Sequence, residues 1–363
     1  MSKRVFNFGA GPAQLPTPVM EQIQEEFLDY QGMGTSVIEI SHRSKEFGRI
    51  IDGCDDLLRE LTGLPDRYKI AYVHGGARMQ FAAIPLNLIN RTGSGRAQYI
   101  VSGNFSKIAA KDAERFGQVD ILANGEESGY RRIPQVDPAA VDQDAAYVHL
   151  TLNNTIFGTR FQELPDTGAV PLVADCTSEI LSRELDYSRF GMVYAGFQKN
   201  LGPSGLALVI IRDDLIGHAR PETPILLDYK NHVENHSLTN TTNTFALYVL
   251  GLVLQWLKDE GGVAAMEKVN NEKAALLYDV LDRSDFYQAF AAPEDRSVMN
   301  VTFNLPNDDT QSRFLEQALE AGLYALKGHR SVGGIRASIY NPMPRAGVQA
   351  LADFMTEFER RNG

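Results

Sequence analysis

The chain has 363 residues and a formal net charge of −11, with 44% hydrophobic and 22% charged residues. That length exceeds one ordinary core and predicts two structural domains. The acidic balance opposes broad binding to nucleic acid or anionic membrane, although a few clustered cations can still build a local anion site.

Two cysteines, Cys54 and Cys176, imply no disulfide framework and fit a reducing cytoplasm. The opening M-S-K-R-V-F-N-F-G-A-G-P lacks an apolar h-region and reads as the start of a mature chain. The longest mainly apolar run, Phe245 to Leu257, is shorter than the ~20 residues of a bilayer span and predicts a buried helix.

In chain order, helices are expected over 16–30, 44–61, 78–90, 105–116 and 244–259. Between them lie β-rich runs at 69–74, 97–102, 118–123, 146–151, 170–175 and 191–195. A seventh run, L-A-L-V-I-I-R (206–212), follows too soon for a crossover helix and is expected to be antiparallel. The pattern is α/β: a mostly parallel seven-stranded sheet with helices on both faces and ligands at the strand carboxyl ends. After Gly261-Gly262, helices (263–282, 309–322, 346–361) mix with strands near 298–304 and 334–340, a smaller α+β C-terminal domain. The turn-like G-A-G-P-A-Q-L-P near the N-terminus is expected to cross to it. The division is a large domain, 16–260, and a small one, 1–15 with 261–363.

Lys199 lies in Y-A-G-F-Q-K-N-L-G-P-S-G, after an apolar run and inside a Gly/Pro turn. Most lysines are solvated, but one withdrawn from water loses pKa and becomes a nucleophile and base. Asp175 ends the apolar run V-P-L-V-A-D. Alone it reads equally well as a helix N-cap. Together, a strand-end Asp and a later turn Lys suit pyridoxal phosphate: the Lys as Schiff-base partner, the Asp on the pyridine nitrogen. The turn V-H-G-G-A-R-M-Q-F (73–81) is either an ordinary βα turn or a phosphate-binding helix start; it is neither a Rossmann nor a Walker A pattern. Phe105, past the second strand, is either a core residue or a stacking surface for a flat ring. Two cationic clusters, I-S-H-R-S-K (40–45) and G-H-R-S-V-G-G-I-R (328–336), suit anions because Arg forks match carboxylate and phosphate. The histidines show no metal-ligand spacing, so no metal is assigned.

These segments, with A-D-C-T-S-E-I-L-S-R and K-G-H-R-S-V-G-G-I-R-A-S-I-Y-N, closely resemble the phosphoserine aminotransferase family over essentially the whole chain. The resemblance implies a fold-type-I, class V pyridoxal-phosphate enzyme, a homodimer with active sites at the subunit interface. It implies transfer of the amino group of L-glutamate to 3-phosphohydroxypyruvate by a ping-pong cycle in serine biosynthesis. In many bacteria the family also aminates a phosphorylated four-carbon oxo acid on the route to pyridoxine. By motif position, Lys199 is the Schiff-base lysine and Asp175 the pyridinium partner. Thr155 binds the cofactor's phenolic oxygen. Ala77, Arg78 and Gln198 hold its phosphate, with Asn240 and Thr241 from the other subunit. Phe105 stands where the family commonly stacks a Trp, and Thr242-Asn243 where relatives often have Pro-Pro. Arg336 takes the substrate α-carboxylate. His42, Arg43, His329 and Arg330 hold the distal phosphate, the first two from the partner subunit.

The alternatives are another class V aminotransferase with a different oxo-acid acceptor, a non-catalytic phosphometabolite-binding protein, and a nicotinamide-dependent oxidoreductase. The cationic clusters oppose acceptors without a distal anion. A cysteine desulfurase needs a reactive loop cysteine that neither Cys54 nor Cys176 supplies.

Overall fold

The computed structural model describes residues 4–363, so the opening residues 1–3 of the N-terminal reading lie outside it. Its centre is a seven-stranded sheet: β1 (Tyr68–His74), β2 (Arg96–Val101), β3 (Gln118–Asn124), β4 (Val148–Thr151), β5 (Leu172–Asp175), β6 (Met192–Gly196) and β7 (Leu206–Arg212). The spatial order is β1-β7-β6-β5-β4-β2-β3. As the short connection predicts, β7 runs antiparallel to both neighbours, with Leu206 opposite His74 and Ala207 opposite Gly196. The other pairings are parallel. Their register sets Thr151 beside Asp175 and Asp175 beside Tyr194 at the strand carboxyl ends. The chain's direction of travel across the sheet reverses between β2 and β4, which opens a crevice at that end.

Both sheet faces are apolar because successive strand side chains point to opposite sides. In β5, Leu172 and Ala174 join a cluster with Phe47, Ile51, Leu247 and Leu254, on helix α2 (Lys45–Thr62) and on α6 (Thr244–Asp259), which follows the short α5 (Tyr229–Glu234). Val173 joins the opposite cluster with Phe81 and Ala110, on α3 (Gly76–Leu88) and α4 (Asn104–Ala113). A third cluster gathers Phe8, Leu277, Val301, Phe314 and Met355. It lies among α7 (Gly262–Arg283), α8 (Asp308–Glu320), α9 (Arg345–Asn362) and a three-stranded antiparallel sheet of Gln288–Ala289, Asn300–Asn304 and Ile335–Ser338. Phe6–Asn7 pairs in parallel with Leu323–Tyr324, and Phe8 is buried in this cluster.

Of the boundaries that differ from expectation, two have clear local reasons. Helix α1 (Thr17–Glu26) stops before residue 30, and the Asp29 carboxylate instead accepts the Gly34 N–H at 2.6 Å, closing a local turn that competes with the helix. Strand β5 starts at Leu172, after Pro171, which has no N–H for the ladder. Among the described residues no helix is long and apolar enough to cross a membrane.

Candidate active site

At the crevice lies a cavity of about 300 Å³. Nine of the residues singled out in the sequence line it: Ala77, Arg78, Phe105, Thr155, Asp175, Gln198, Lys199, His329 and Arg336. They come from the ends of separate strands and from two helix starts, so only the folded sheet brings them together.

Lys199 follows β6 in the turn leading to β7 and is 8% exposed. Its ammonium donates to Thr155 Oγ1 at 2.5 Å and lies 6.0 Å from the Tyr340 ring centroid. Burial pulls its pKa from 10.5 down to about 8; the Arg336 charge adds to the fall, and Asp175 opposes it. At pH 7 about a tenth of Lys199 is therefore neutral amine.

Asp175 ends β5, buried, with Oδ1 accepting the Thr177 N–H at 2.9 Å. Burial raises its pKa, while the Thr177 bonds and the Lys199 charge hold it down. No ion pair joins Asp175 to any cation among the described residues. Beside it, Thr151 Oγ1 is buried without a hydrogen-bond partner, although Thr151 lines the cavity. A buried carboxylate short of a cation and an orphaned hydroxyl are what a ligand with a protonated ring nitrogen and polar substituents would satisfy.

The phosphate end is equally suited. Gly75 and Gly76 both take positive φ, 84° and 62°, to turn the chain from β1 into α3. The free N–H groups of that helix start, at Ala77 and Arg78, face the cavity and favour an anion. The Arg78 guanidinium is paired to Asp112 at 2.6 Å and lies 4.9 Å from the Phe81 ring centroid, so its backbone is the freer donor. Phe105, half-exposed in the first turn of α4, presents its ring to the same space. This donor set fits pyridoxal phosphate.

Arg336 lines the cavity from the small antiparallel sheet. Its Nε is buried and unpartnered, and its guanidinium makes no ion pair among the described residues. Burial lowers its pKa, yet an arginine remains cationic. The neighbouring His329 is also pushed down, by burial first and then by Arg336 and Arg330.

A class-V aminotransferase family model matches residues 5–351. A phosphoserine aminotransferase of Bacillus cereus is 49% identical over 360 residues, which is 99% of each chain. This chain belongs to the phosphoserine aminotransferase family. A solved phosphoserine aminotransferase from Bacillus circulans subsp. alkalophilus superposes with a TM-score of 0.96 at 42% identity, covering all of both chains. Another, described as PLP-bound, from Trichomonas vaginalis, gives 0.92 at 35% identity, covering 97% of this chain and all of that one.

Five residues assigned to the site by family resemblance do not line the cavity of this phosphoserine aminotransferase family chain. Arg330 is exposed beside His329. Arg43 Nε donates to His42 Nε2 at 3.3 Å on the turn before α2. Asn240 Nδ2 bonds His74 Nε2 at 3.1 Å, and Thr241 is exposed.

Sequence reasoning passed over Thr151, Asn153, Thr177, Ala10 and Gly11 as cavity residues. For Thr177 a signal existed, since a residue two after a strand-end Asp often donates its N–H to that carboxylate. Ala10 and Gly11 carried no such signal, because 188 residues separate Gly11 from Lys199.

Proposed function

We propose that the chain transfers the amino group of L-glutamate to 3-phosphohydroxypyruvate, giving O-phospho-L-serine and 2-oxoglutarate, with pyridoxal phosphate as cofactor. The observation that carries the reading is one cavity lined by a buried, partly neutral lysine, a buried carboxylate and an unpaired arginine. Pyridoxal phosphate, when bound, supplies an electron sink for the substrate α-carbon and carries the amino group between the two substrates.

Asp175 holds the proton of the ring nitrogen, and the Thr177 N–H keeps its carboxylate aimed. Thr155 Oγ1 would hold the phenolic oxygen, and Phe105 would offer its ring as an apolar wall for the cofactor. The Ala77 and Arg78 backbone with Gln198 hold the phosphate, joined by Asn240 and Thr241 of a second copy. Lys199 Nζ moves the proton of the substrate α-carbon, a task for which a pKa of about 8 is well matched. Arg336 fixes the α-carboxylate common to both substrates. His329 and Arg330, with His42 and Arg43 of the second copy, receive the distal anion, the γ-carboxylate of glutamate or the phosphate. One basic pocket thus serves both half-reactions of a ping-pong cycle. The reading includes a homodimer in the cytoplasm, a large domain of residues 16–260, a small one of 1–15 with 261–363, and a role in serine biosynthesis that extends to the phosphorylated acceptor of the pyridoxine route.

The test is steady-state turnover with glutamate as donor and either 3-phosphohydroxypyruvate or hydroxypyruvate as acceptor. Charge-assisted bonds are worth ~1.5–3 kcal/mol each, so losing several costs about a hundredfold or more in kcat/KM. Equal use of the two acceptors overturns the substrate assignment. Borohydride treatment of the holoenzyme is expected to fix the cofactor on Lys199, and failure to do so overturns the lysine's role.

A further inference from the structure

A buried polar network links the cavity to the small antiparallel sheet, with Asn300 at its centre. Asn300 is fully buried on the Asn300–Asn304 strand. Its Oδ1 accepts from Asn153 Nδ2 at 2.8 Å, and its Nδ2 donates to Ser338 Oγ at 3.0 Å and to Tyr340 Oη at 3.2 Å. On the cavity side, Asn153 also donates to Ser178 Oγ at 2.8 Å and accepts from the Ser297 hydroxyl at 2.5 Å. On the far side the Tyr340 hydroxyl donates to Ala10 O at 2.9 Å. Asn153, Ser178 and Ala10 all line the cavity. Every hydrogen-bonding position of the Asn300 side chain but one acceptor lone pair is used, which fixes the orientation of its amide.

Arg336 is on the strand this network grips. Antiparallel pairing sets Asn300 opposite Ser338 and Thr302 opposite Arg336. Residues two apart on a strand share a face, so Ser338 and Arg336 project to the same side. Among the described residues the Arg336 side chain makes no ion pair, and its Nε is unpartnered. Its reach into the cavity is set by where its strand sits, and the Asn153–Asn300–Ser338 run ties that strand to the end of β4.

We propose that Asn300 is a positioning residue that sets the reach of Arg336 to the substrate α-carboxylate. This rests on the function proposed above. Its signature is selectivity for ligands that carry an α-carboxylate. O-phospho-L-serine and O-phosphoethanolamine share an amine and a phosphate, and only the first has the carboxylate.

The experiment measures binding of both to the holoenzyme and to Asn300→Ala, Asn300→Asp and Arg336→Ala variants, with cofactor occupancy checked by absorbance. Asn300→Ala is expected to weaken O-phospho-L-serine by about tenfold, the scale of one or two lost hydrogen bonds. It leaves O-phosphoethanolamine within about twofold, the scatter expected of a contact it does not make. Asn300→Asp keeps the shape but cannot donate to Tyr340 Oη, whose own proton goes to Ala10 O, so it shows the same selectivity and stands in if the alanine variant fails to fold. If both ligands weaken alike, or neither does, in the folded Asn300 variants, the positioning role is wrong. If Arg336→Ala itself fails to discriminate between the two ligands, the fault lies in the underlying carboxylate assignment instead.

Discussion

Replacing Lys199 by methionine should stabilise the cofactor-free protein. Folding carries this ammonium from water into a site where burial lowers its pKa from 10.5 to about 8. At ~1.36 kcal/mol per pH unit, that difference is a cost of about 3 kcal/mol. Because Lys199 is 8% exposed, solvent screening takes little from the figure. Methionine has a similar length and no charge, and the loss to set against the gain is the charge-assisted bond to Thr155 Oγ1, ~2 kcal/mol. The net expectation at pH 7 is a gain of about 1 kcal/mol. The gain depends on pH in a defined direction. Below about pH 8 both folded and unfolded chains carry the proton, and the native protein bears the whole cost. Between about 8 and 10.5 only the unfolded chain is protonated, so native stability climbs with pH. Above 10.5 the cost is gone and the variant's advantage with it. Urea unfolding of both cofactor-free proteins, at equal concentration from pH 6 to 10, measures the gap. A variant no more stable than the native chain at pH 7, or a gap that does not narrow between pH 8 and 10, refutes the reasoning. The same burial that costs stability leaves Lys199 a usable base.

Asp175→Asn removes the only carboxylate that lines the cavity among the described residues and should lower kcat by at least about a hundredfold while weakening cofactor retention, read by steady-state kinetics and dialysis. Unchanged turnover counts against its pairing with a ring nitrogen. Arg330→Ala is expected to cut kcat/KM for the phosphorylated acceptor by about 10- to 100-fold and to spare hydroxypyruvate. An equal loss on both acceptors removes Arg330 from the phosphate pocket. Gly158→Ala would set a Cβ 2.5 Å from Thr302 Oγ1 and 2.8 Å from Asn300 O, at a φ of +71°. It should destabilise by about 2–3 kcal/mol, seen as a lower denaturant midpoint, and a neutral effect would show that the Asn300 strand moves freely.

The elements were legible where local chemistry governs them. Alternating and continuous apolar runs mark all seven strands, and the short link before Leu206 is enough to make β7 antiparallel. Its place between β1 and β6 was not legible, because strand neighbours far apart in sequence are chosen by packing. Lys199 and Asp175 stood out as a pair, a strand-end Asp followed by a Lys in the turn after the next strand. Asn300, Tyr340 and Thr151 did not, since a polar residue within an apolar stretch gives no sign of which distant group satisfies it.

By itself the sequence determined an acidic α/β chain, its strands and helices, and a lysine, an aspartate and an arginine whose surroundings set them apart. Only the tertiary structure decided that the strand ends at 151 and 175 and the turn at 198–199 face one cavity, that Gly11 and Arg336 close on it from elsewhere, and that Lys199 is dry enough to lose its proton near pH 8. The reason is physical: residue type and period are local quantities, whereas desolvation and the distance between charges exist only once remote segments have packed together.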